Sequence, residues 1–561
     1  MFYQWQFDKF SFLSITFRLM LMLALLSASL VVMPVPKVYA ATTRTINVDN
    51  VPDSDTSTTK CTLREAIEAA NDGDGAGTNA AGCTITENGS GTPVSYVLNL
   101  PSYTYTIETG GSHEEYNADG DLDIKNNVTI NGAGVGNTIL DGNGAERIFD
   151  IDPIEIGAGR GNFTVRISNM TLQNGREMAG MGGCVSDVAA ADDGDTTYLT
   201  NVTFSNCRAR NGGAVRVRNS TMYISNSILT NSQANIFSSS GGDGGAIIVE
   251  YGTMTISDST ISNNLAEGHG GAIYNQDSLT VGSAVYIVNS TITGNRSTSD
   301  GGGILNAWSG GGVTLNIGNS TISNNTVEGG WGGGIVNGFG CVATITQTAV
   351  YSNAVDGGGG GGFYNVGTLN IVNSTISTNK ATAGGGGVNN EGTVNLSFVT
   401  VTNNVADSDN ASGGDGGGIY RAAGTFTIKN SIIGINTDLS GGAPDCSGSI
   451  NVEGYNLLYD NLGCVVVGGG GAYSVAVDPK LGIWQNNGGS TYTHALLDGS
   501  PAIDTAPTCT DLASNTLDTD QRGPSFSRPV DADEDGVAEC DLGAYEIQSG
   551  KVYLPIIIKN R

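Results

Sequence analysis

One acidic segment near the carboxyl end has the residue types and spacing of a calcium-binding loop. Residues 531–536 read Asp-Ala-Asp-Glu-Asp-Gly, with carboxylates at alternate positions before a glycine. This order opens the EF-hand loop, in which a glutamate at position 12 completes the oxygen ligands. Leu542 stands at that position, so Glu539 or Asp541 would have to close the site. The segment predicts either a calcium site or an ordinary acidic turn. The candidate ligands are Asp531, Asp533, Asp535, Glu539 and Asp541.

Six other acids each lie just before a pair of glycines in a repeated phrase of the sequence. If the repeats stack, we expect these side chains to form one column, with like charges about 5 Å apart. Their repulsion in water is below about 1 kcal/mol per pair. Such a column could hold cations, or it could be a solvated edge. Its predicted members are Asp243, Glu267, Asp300, Glu328, Asp356 and Asp415.

Catalytic machinery is not visible in the same stretch. Polysaccharide lyases combine calcium-bound acids with an arginine or lysine that takes a proton, and glycoside hydrolases use paired carboxylates. His269 stands alone between glycines, and the basic residues of 212–438 lie in no motif with acids. Those basic residues are Arg216, Arg218, Arg296, Lys380, Arg421 and Lys429. The catalytic residues, if there are any, stay unknown at this stage.

Two further sets of side chains could contact carbohydrate. Aromatic rings near the glycine pairs could stack on sugar rings, or they could pack the loops. A column of threonines could present a flat hydroxyl surface, although threonine also suits strands through its β propensity. The aromatic set is Tyr251, Tyr274, Trp308, Trp331, Tyr364 and Tyr420, and the threonine set is Thr171, Thr203, Thr260, Thr291, Thr321, Thr375 and Thr400.

A single phrase repeated through residues 182–436 must position all of these groups. Each copy has a glycine pair, a small residue and an apolar residue, then a short alternating segment, then Asn-Ser-Thr-Ile and another asparagine. The apolar position recurs about every 29 residues, and such a period is typical of a solenoid. It falls at Val185, Val215, Ile247, Ile273, Ile304, Ile335, Phe363, Val388 and Ile419.

The alternating segments favour strands over helices. Residues 253–257 and 368–372 alternate polar and apolar side chains, as half-buried strands do. A propeller blade would need four strands in about 40–45 residues, whereas about 29 residues suit one coil of a parallel β-helix. The repeats therefore predict an all-β parallel β-helix of about 10–12 coils.

Stacked coils would place identical residues above one another, and asparagine is the polar residue that recurs most regularly. An inward asparagine can donate to and accept from its neighbours along the column, which satisfies buried amides. We therefore predict a structural role for these residues. One column is Asn275, Asn306, Asn337, Asn365 and Asn390, and the other is Asn264, Asn295, Asn325, Asn353, Asn379, Asn404 and Asn436.

The net charge of the chain limits which kinds of molecule it could bind. The 561 residues include 84 glycines and carry a net charge of −29. A nucleic-acid-binding protein needs a basic surface, so we expect no nucleic-acid partner. An acidic rod could bind divalent cations, or the charge could simply keep it soluble.

The amino terminus predicts export. An apolar run from Leu19 to Met33 follows Lys9 and Arg18, and a small residue at Ala40 suits cleavage. The alternative, an uncleaved membrane anchor, would be short for a span. Nine cysteines in an exported chain indicate disulfides. Sequence neighbours suggest the pairs Cys61–Cys83, Cys184–Cys207, Cys446–Cys464 and Cys509–Cys540, and the ninth cysteine is Cys341.

A short helix is predicted after the first strand. Thr62 and Glu65 form a capping box, and Leu63, Ile67 and Ala70 share one face. The ends of a solenoid expose apolar core, so we expect this helix to cover one end. Residues 61–67 read Cys-Thr-Leu-Arg-Glu-Ala-Ile, which resembles the CSLREAI motif of secreted bacterial β-helix proteins.

The carboxyl-terminal part resembles a choice-of-anchor Q domain. The similarity rests on Asn-Leu-Leu at 456–458, Asp-Pro-Lys-Leu-Gly at 478–482, Gly-Ser-Pro-Ala-Ile-Asp at 499–504 and Asp-Leu-Gly-Ala-Tyr-Glu at 541–546. Together the two resemblances imply an extracellular, right-handed parallel β-helix with an amino-terminal capping helix and a carboxyl-terminal capping or anchor domain. They imply no single activity, because this fold carries adhesins, lyases and hydrolases.

We divide the chain into a signal peptide (1–40), an amino-terminal cap (41–120), β-helix repeats (121–440), the anchor-like domain (441–548) and a tail (549–561). The expected function is a non-catalytic role in adhesion, matrix or carbohydrate binding by a secreted or cell-surface monomer. An extracellular polysaccharide is the expected partner, and calcium is the only candidate cofactor. The alternative is an extracellular polysaccharide lyase or glycoside hydrolase of the pectate-lyase-like fold.

Overall fold

Short parallel strands stack along most of the chain. The computed structural model describes residues 42–52, 59–73, 82–88, 94–107, 120–152, 162–189, 194–235, 242–276, 282–307, 312–410, 413–468, 472–533 and 535–548. The predicted signal peptide, the tail and Trp308 lie outside these residues. Each strand of the repeats pairs in parallel with its equivalents one coil before and one coil after. Parallel crossovers are right-handed in about 98% of cases, and the predicted right-handed parallel β-helix is confirmed.

A coil contains four strand positions, which we call faces 1 to 4. Face 1 contains Val94–Asn99, Val128–Asn131, Thr221–Ser225, Thr253–Ser257, Ala284–Val288, Thr314–Gly318, Val342–Thr346 and Thr425–Lys429. Face 2 contains Tyr103–Thr106, Thr138–Asp141, Ile228–Thr230, Thr260–Ser262, Thr291–Thr293, Thr321–Ser323, Ala349–Tyr351, Ile432–Gly434, Tyr455–Leu458 and Ala472–Val475. Longer strands span faces 1 and 2 at Thr164–Gln173, Thr196–Ser205, Thr368–Ser377 and Thr393–Thr402.

Faces 3 and 4 complete each coil. Face 3 contains Arg176–Met181, Arg208–Asn211, Gln233–Ala234, Leu265–Ala266, Arg296–Ser297, Thr326–Val327, Ala354–Val355, Lys380–Ala381, Val405–Ala406 and Thr437–Asp438. Face 4 contains Leu122–Ile124, Phe149–Ile151, Val185–Val188, Val215–Arg218, Ile247–Glu250, Ile273–Gln276, Ile304–Asn306, Ile335–Asn337, Phe363–Asn365, Val388–Asn390, Ile419–Arg421 and Cys446–Glu453. The loops from face 3 to face 4 carry the glycine pairs.

The corner between faces 1 and 2 explains one half of the repeated phrase. One residue of each coil adopts a left-handed conformation there, with φ between 44° and 59°. Asparagine tolerates this conformation better than other non-glycine residues. The corner residues are Asn169, Asn201, Asn226, Asp258, Asn289, Asn319, Gln347, Asn373, Phe398 and Asn430.

Both asparagine columns lie in the buried wall of the rod. In the first column, each Nδ2 donates to the Oδ1 of the next asparagine at 2.8–2.9 Å. In the second column, the equivalent bonds measure 2.9–3.0 Å. Asn436 ends that column by donating to Asp445 at 2.9 Å. The columns therefore satisfy amides that no water reaches.

A helix closes the amino-terminal end. In Leu63–Asp72, the Thr62 hydroxyl accepts the Glu65 N–H at 3.2 Å, and the Glu65 carboxylate accepts the Thr62 N–H at 2.9 Å. Arg64 donates to the carbonyl oxygens of Gly120 and Asp121 in the first coil. Beside the helix, Thr42–Asn47 pairs with Val94–Asn99 in parallel and with Ile85–Asn88 in antiparallel fashion. Within the described residues, no helix is long and apolar enough to span a membrane.

All four predicted disulfides form. They join Cys61 to Cys83, Cys184 to Cys207, Cys446 to Cys464 and Cys509 to Cys540. The ninth cysteine, Cys341, is buried, and its thiol donates to the carbonyl oxygen of Phe339 at 3.7 Å. Crosslinks of this kind stabilise a fold by about 2–4 kcal/mol each.

The carboxyl-terminal segment packs along the side of the rod. Its strand Cys464–Val466 still stacks on Cys446–Glu453, and then Leu481–Gln485 and Thr493–Leu496 form an antiparallel pair. Residues 478–548, which we call the side domain, contact the corner between faces 1 and 2 and the outer surface of face 2. Their partners there include Asn373, Thr375, Thr400 and Asn430. The outer surface of face 2 is therefore partly exposed from Thr203 to Thr321 and covered by the side domain in the late coils.

Candidate functional site

The loop acids occupy two columns, and the prediction of a single column is wrong. The carbonyls of Asp243, His269, Asp300 and Trp331 accept hydrogen bonds at 2.8–2.9 Å from the glycine of the preceding coil, so these four residues lie on successive levels. Asp415 belongs to the same column. The other acids, Glu267, Glu328 and Asp356, form a second column directly after face 3. The prediction failed because the distance from acid to glycine pair differs between repeats, so the acids stand at different positions in the loop.

The first column and the neighbouring Tyr364 of face 4 form an unusual combination of side chains, which we call the acid–aromatic ridge: Asp243, His269, Asp300, Trp331 and Tyr364. The backbone N–H of His269 donates to the Asp243 carboxylate at 2.9 Å, and that of Trp331 donates to Asp300 at 2.9 Å. The imidazole Nδ1 of His269 lies 3.1 Å from Asp300 Oδ2. These contacts hold a histidine between two carboxylates on adjacent coils.

An aromatic pair continues the ridge. The Trp331 ring stacks on the Tyr364 ring with centroids 4.8 Å apart. The Tyr364 hydroxyl donates to Glu391 at 2.9 Å, and the tyrosine is only 6% exposed. Trp331 remains 36% exposed. The structure therefore supports the indole with a stacked ring and leaves about a third of the tryptophan exposed to solvent.

The charge of His269 depends on its two acidic neighbours. Burial lowers the pKa of His269, but the contact with Asp300 and the charge of Asp243 outweigh burial, so the pKa is raised above its ordinary value. The Nδ1–Oδ2 contact is an ion pair when the imidazole is protonated. In this arrangement a protonated imidazole can donate to the hydroxyl groups of a ligand, and the two carboxylates can accept from them.

The glycine pairs determine how closely the ridge lies against face 4. Gly270 and Gly301, which follow ridge residues, have φ of 65° and 66°. A Cβ on Gly271 would lie 2.1 Å from the carbonyl oxygen of Gly302. Only glycine allows neighbouring loops to approach this closely. The repeated glycines thus allow the loops to stack, and the ridge residues His269, Asp300 and Trp331, which each precede a glycine, remain half-exposed or exposed.

The remaining aromatic residues lie deeper or apart. Tyr274 and Tyr364 belong to an apolar cluster on the outer surface of face 4, together with Leu305 and Val336. Tyr251 lies under the guanidinium of Arg218 at 5.9 Å. Tyr420 is half-buried on face 4. Among the aromatic residues predicted to bind sugar and described here, Trp331 is the one that combines exposure with a stacked support.

The threonine column follows the outer surface of face 2, and the side domain divides it. Thr375 and Thr400 are buried beneath that domain, and the Thr375 hydroxyl donates to Gln521 at 2.6 Å. Thr260, Thr291 and Thr321 are half-exposed. The late part of the threonine column therefore serves to bind the side domain of the same chain.

The predicted calcium loop lies in the side domain with a different ligand set. Carboxylate oxygens of Asp504, Asp531 and Asp533 lie within 4.8 Å of one another. Asp541 does not belong to this group, because its oxygens accept the N–H groups of Asp504 and Ile547. Asp535 accepts the Val537 N–H at 2.8 Å, and Glu539 is half-buried outside the group.

The donor set of this loop suits a hard cation. The Oδ1 atoms of Asp504 and Asp531 are buried and have no hydrogen-bond partner within the described residues. Burial raises the pKa of Asp504 above its usual range, although the N–H groups of Asp533 and Ala532 lower it in part. Three clustered carboxylates, two of them with an unsatisfied oxygen, fit the preference of calcium for oxygen ligands.

A buried cluster of charges near the amino terminus was not found from the sequence. Arg147 contacts Asp150, and it lies 3.1 Å from Asp121 and 3.3 Å from Glu177. Burial raises the pKa of Asp121 to about 8, although Arg147 lowers it in part. No sequence pattern indicates this cluster, because its residues come from different coils and do not recur in the repeats. All are largely buried, which is typical of a structural ion cluster rather than a substrate site.

Comparison with known proteins adds little to this geometry. No family model matches the chain, and no curated protein matches it. Among solved structures, the A-module of mannuronan C-5 epimerase AlgE6 from Azotobacter vinelandii is 15% identical, with a TM-score of 0.30, and the match covers 73% of this chain and 93% of that one. The A-module of AlgE4 from the same organism is 15% identical, with a TM-score of 0.24 over 73% and 92%. Similarity this low supports no conclusion about activity.

Proposed function

We propose that this protein is a secreted or cell-surface β-helix that binds carbohydrate through the acid–aromatic ridge without cleaving it. The observation that carries the proposal is the exposed Trp331 ring, supported by Tyr364 at 4.8 Å and flanked by Asp300. Indole rings stack on the apolar faces of sugars, and carboxylates accept bonds from sugar hydroxyls. Four disulfides support an oxidising, extracellular location.

The charge of the chain favours a neutral polysaccharide as the ligand. The net charge is −29, and Asp243 and Asp300 lie on the ridge itself. A polyanionic chain would be repelled by this surface unless cations lay between the two. A neutral glycan meets no such barrier, and its hydroxyl groups match the carboxylates and the imidazole of His269.

The relation to secreted proteins with CSLREAI motifs and choice-of-anchor Q domains forms part of the same proposal. Residues 1–40 direct export, the side domain contributes to surface retention, and the protein acts as a monomer in adhesion or in the extracellular matrix. Calcium in the loop of Asp504, Asp531 and Asp533 would rigidify the side domain. The three clustered carboxylates support this role.

The pair of His269 and Asp300 is the one observation that favours an enzyme. A histidine 3.1 Å from a carboxylate could transfer protons in a lyase or hydrolase reaction. Its raised pKa favours the protonated form, which is an acid, over the neutral form, which is a base. The coils around it are regular in the part of the chain that the structure describes, so binding is the stronger proposal.

Substitution of Trp331 tests the proposal. We expect Trp331→Ala to weaken binding to a neutral polysaccharide by about tenfold, the equivalent of ~1.4 kcal/mol, because the stacking surface is lost. Binding would first be located on an array of neutral and acidic glycans and then measured by titration calorimetry with the best ligand.

The matched control is Phe339→Ala. Phe339 is an aromatic residue that is 65% exposed away from the ridge, so its removal deletes a ring without altering the site. The two variants should have similar melting temperatures, and Phe339→Ala should bind like the parent protein. Equal binding by all three proteins would refute the ridge as the binding site.

A further inference from the structure

A carboxylate inside the rod wall is left without compensation. Asp187 lies on the face 4 strand Val185–Val188, in register with Ile151 of the preceding coil and Val217 of the next. All three residues point inward, and Asp187 is 0% exposed. Neither oxygen of its carboxylate has a hydrogen-bond partner within the described residues. An isolated charge in such a place costs several kcal/mol.

In other coils, an asparagine occupies the inward position that Asp187 holds here. Asn275, Asn306 and Asn337 occupy the equivalent inward position of face 4, where each amide donates to the next. Asp187 cannot join such a column, because a carboxylate has no N–H to donate and its neighbours above and below are aliphatic. Its oxygens therefore depend on groups outside the column.

The polar groups that act on Asp187 all carry oxygen atoms. The hydroxyls of Thr197 and Ser220 face the carboxyl. Thr197 is fully buried, and Ser220 is 3% exposed. Asp195, 1% exposed, adds a second carboxylate whose charge acts on Asp187. Its Oδ1 accepts the Phe163 N–H at 2.9 Å.

We propose that these four residues, Asp187, Asp195, Thr197 and Ser220, bind a calcium ion inside the corner between faces 4 and 1. Two carboxylates supply two negative charges, which a divalent cation neutralises. Carboxylate and hydroxyl oxygens are the hard ligands that calcium prefers. The ion would link two coils, because Ser220 belongs to the coil after that of Asp187 and Asp195. This site is separate from the exposed loop of the side domain.

Burial also changes the pKa of Asp187. Burial is the main cause that raises this pKa to about 7, the charge of Asp195 also raises it, and the Thr197 and Ser220 hydroxyls lower it in part. A proton on Asp187 is therefore the competing way to neutralise the group. The two alternatives differ in whether metal remains bound after purification.

The metal content of the purified protein tests the inference. The protein would be made with Asp531→Asn, which removes the contribution of the side-domain loop, then saturated with calcium and passed through metal-free buffer. Calcium per chain would be measured by mass spectrometry. We expect the parent to retain calcium near equivalence, since removal requires the rod to open. Adding Asp187→Asn should lower the retained calcium by about tenfold or more.

A second variant guards against misfolding. Thr197→Val keeps both carboxylates and preserves volume, and its neighbours in the column, Val165 and Met222, are already apolar. We expect it to retain less calcium than the parent while melting cooperatively. Retention of calcium in Asp187→Asn, or its absence from the parent, would overturn the inference, and absence would indicate a protonated Asp187.

Discussion

Asn325 shows how much one side chain contributes to the rod. Its amide donates to the carbonyl oxygen of Ile292 at 3.0 Å and to Asn353 at 2.9 Å, and its oxygen accepts the backbone and side-chain N–H groups of Asn295 at 3.0 Å. Four hydrogen bonds therefore connect three coils through a single buried residue. Because these groups are buried, none of them can form a hydrogen bond with water instead when a partner is lost.

Removal of Asn325 is expected to destabilise the protein measurably. We predict that Asn325→Ala lowers the free energy of unfolding by about 3 kcal/mol, because it leaves buried donors and acceptors unsatisfied. Urea unfolding followed by circular dichroism measures the change. Asn316→Thr, at a half-exposed position on the outer surface of face 1, should change it by less than about 0.5 kcal/mol. Equal stability of the two variants would contradict the structural role of the column.

Single residues differ in how far their environment could be read from the sequence. The asparagine columns were predictable, because each amide finds its partner in the next copy of the same residue. Asp187 and Arg147 were not, since each occurs once and meets groups from other coils. The ridge lies between these cases: Asp243 and Asp300 were identified, but the loop register that places His269 between them was not.

At the scale of elements, the side domain changes what the rod exposes. Arg528 donates to Glu546 at 2.8 Å and to Asn373 at 3.1 Å, and its guanidinium lies 4.4 Å from the centre of the Phe398 ring. Phe398 occupies a left-handed corner position, with φ of 54°, where most coils have asparagine. We interpret the aromatic residue at this strained position as an anchor that holds the side domain.

Replacement of Phe398 is expected to loosen the side domain. Phe398→Asn relieves about 1–2 kcal/mol of backbone strain but removes a fully buried ring, which costs about 3–5 kcal/mol. We therefore expect trypsin to cleave at Lys480 about tenfold faster under native conditions. Asp258→Asn is the control, because it makes a similar change at a corner that the side domain does not contact. Unchanged cleavage would show that Phe398 does not hold the domain.

The elements themselves were largely predictable, and their docking was not. Period, strand alternation and the capping box indicated the coils and the amino-terminal helix, because each follows from local sequence. The contacts of the side domain with face 2 depend on unique residues such as Gln521 and Arg528 that lie 146 and 155 residues from their partners. The repeat in the sequence does not indicate which of these unique residues contact each other.

At the scale of the whole molecule, the protein is a regular rod with one distinctive strip. A helix covers its amino-terminal end, and the side domain covers the late part of face 2. The acid–aromatic ridge follows the loops between faces 3 and 4, which leaves it clear of the side domain contacts. This arrangement suits a long polysaccharide lying along the rod, with Trp331 as the stacking residue.

The most direct measurement incubates the protein from residue 41 onward with a panel of neutral and acidic polysaccharides and records binding and cleavage together. Co-sedimentation reports binding, while new reducing ends and the absorbance of unsaturated sugars report cleavage. The account predicts that a neutral polysaccharide binds and that no products form with calcium or with chelator. Products that disappear in a His269→Gln variant would contradict it and establish the protein as an enzyme.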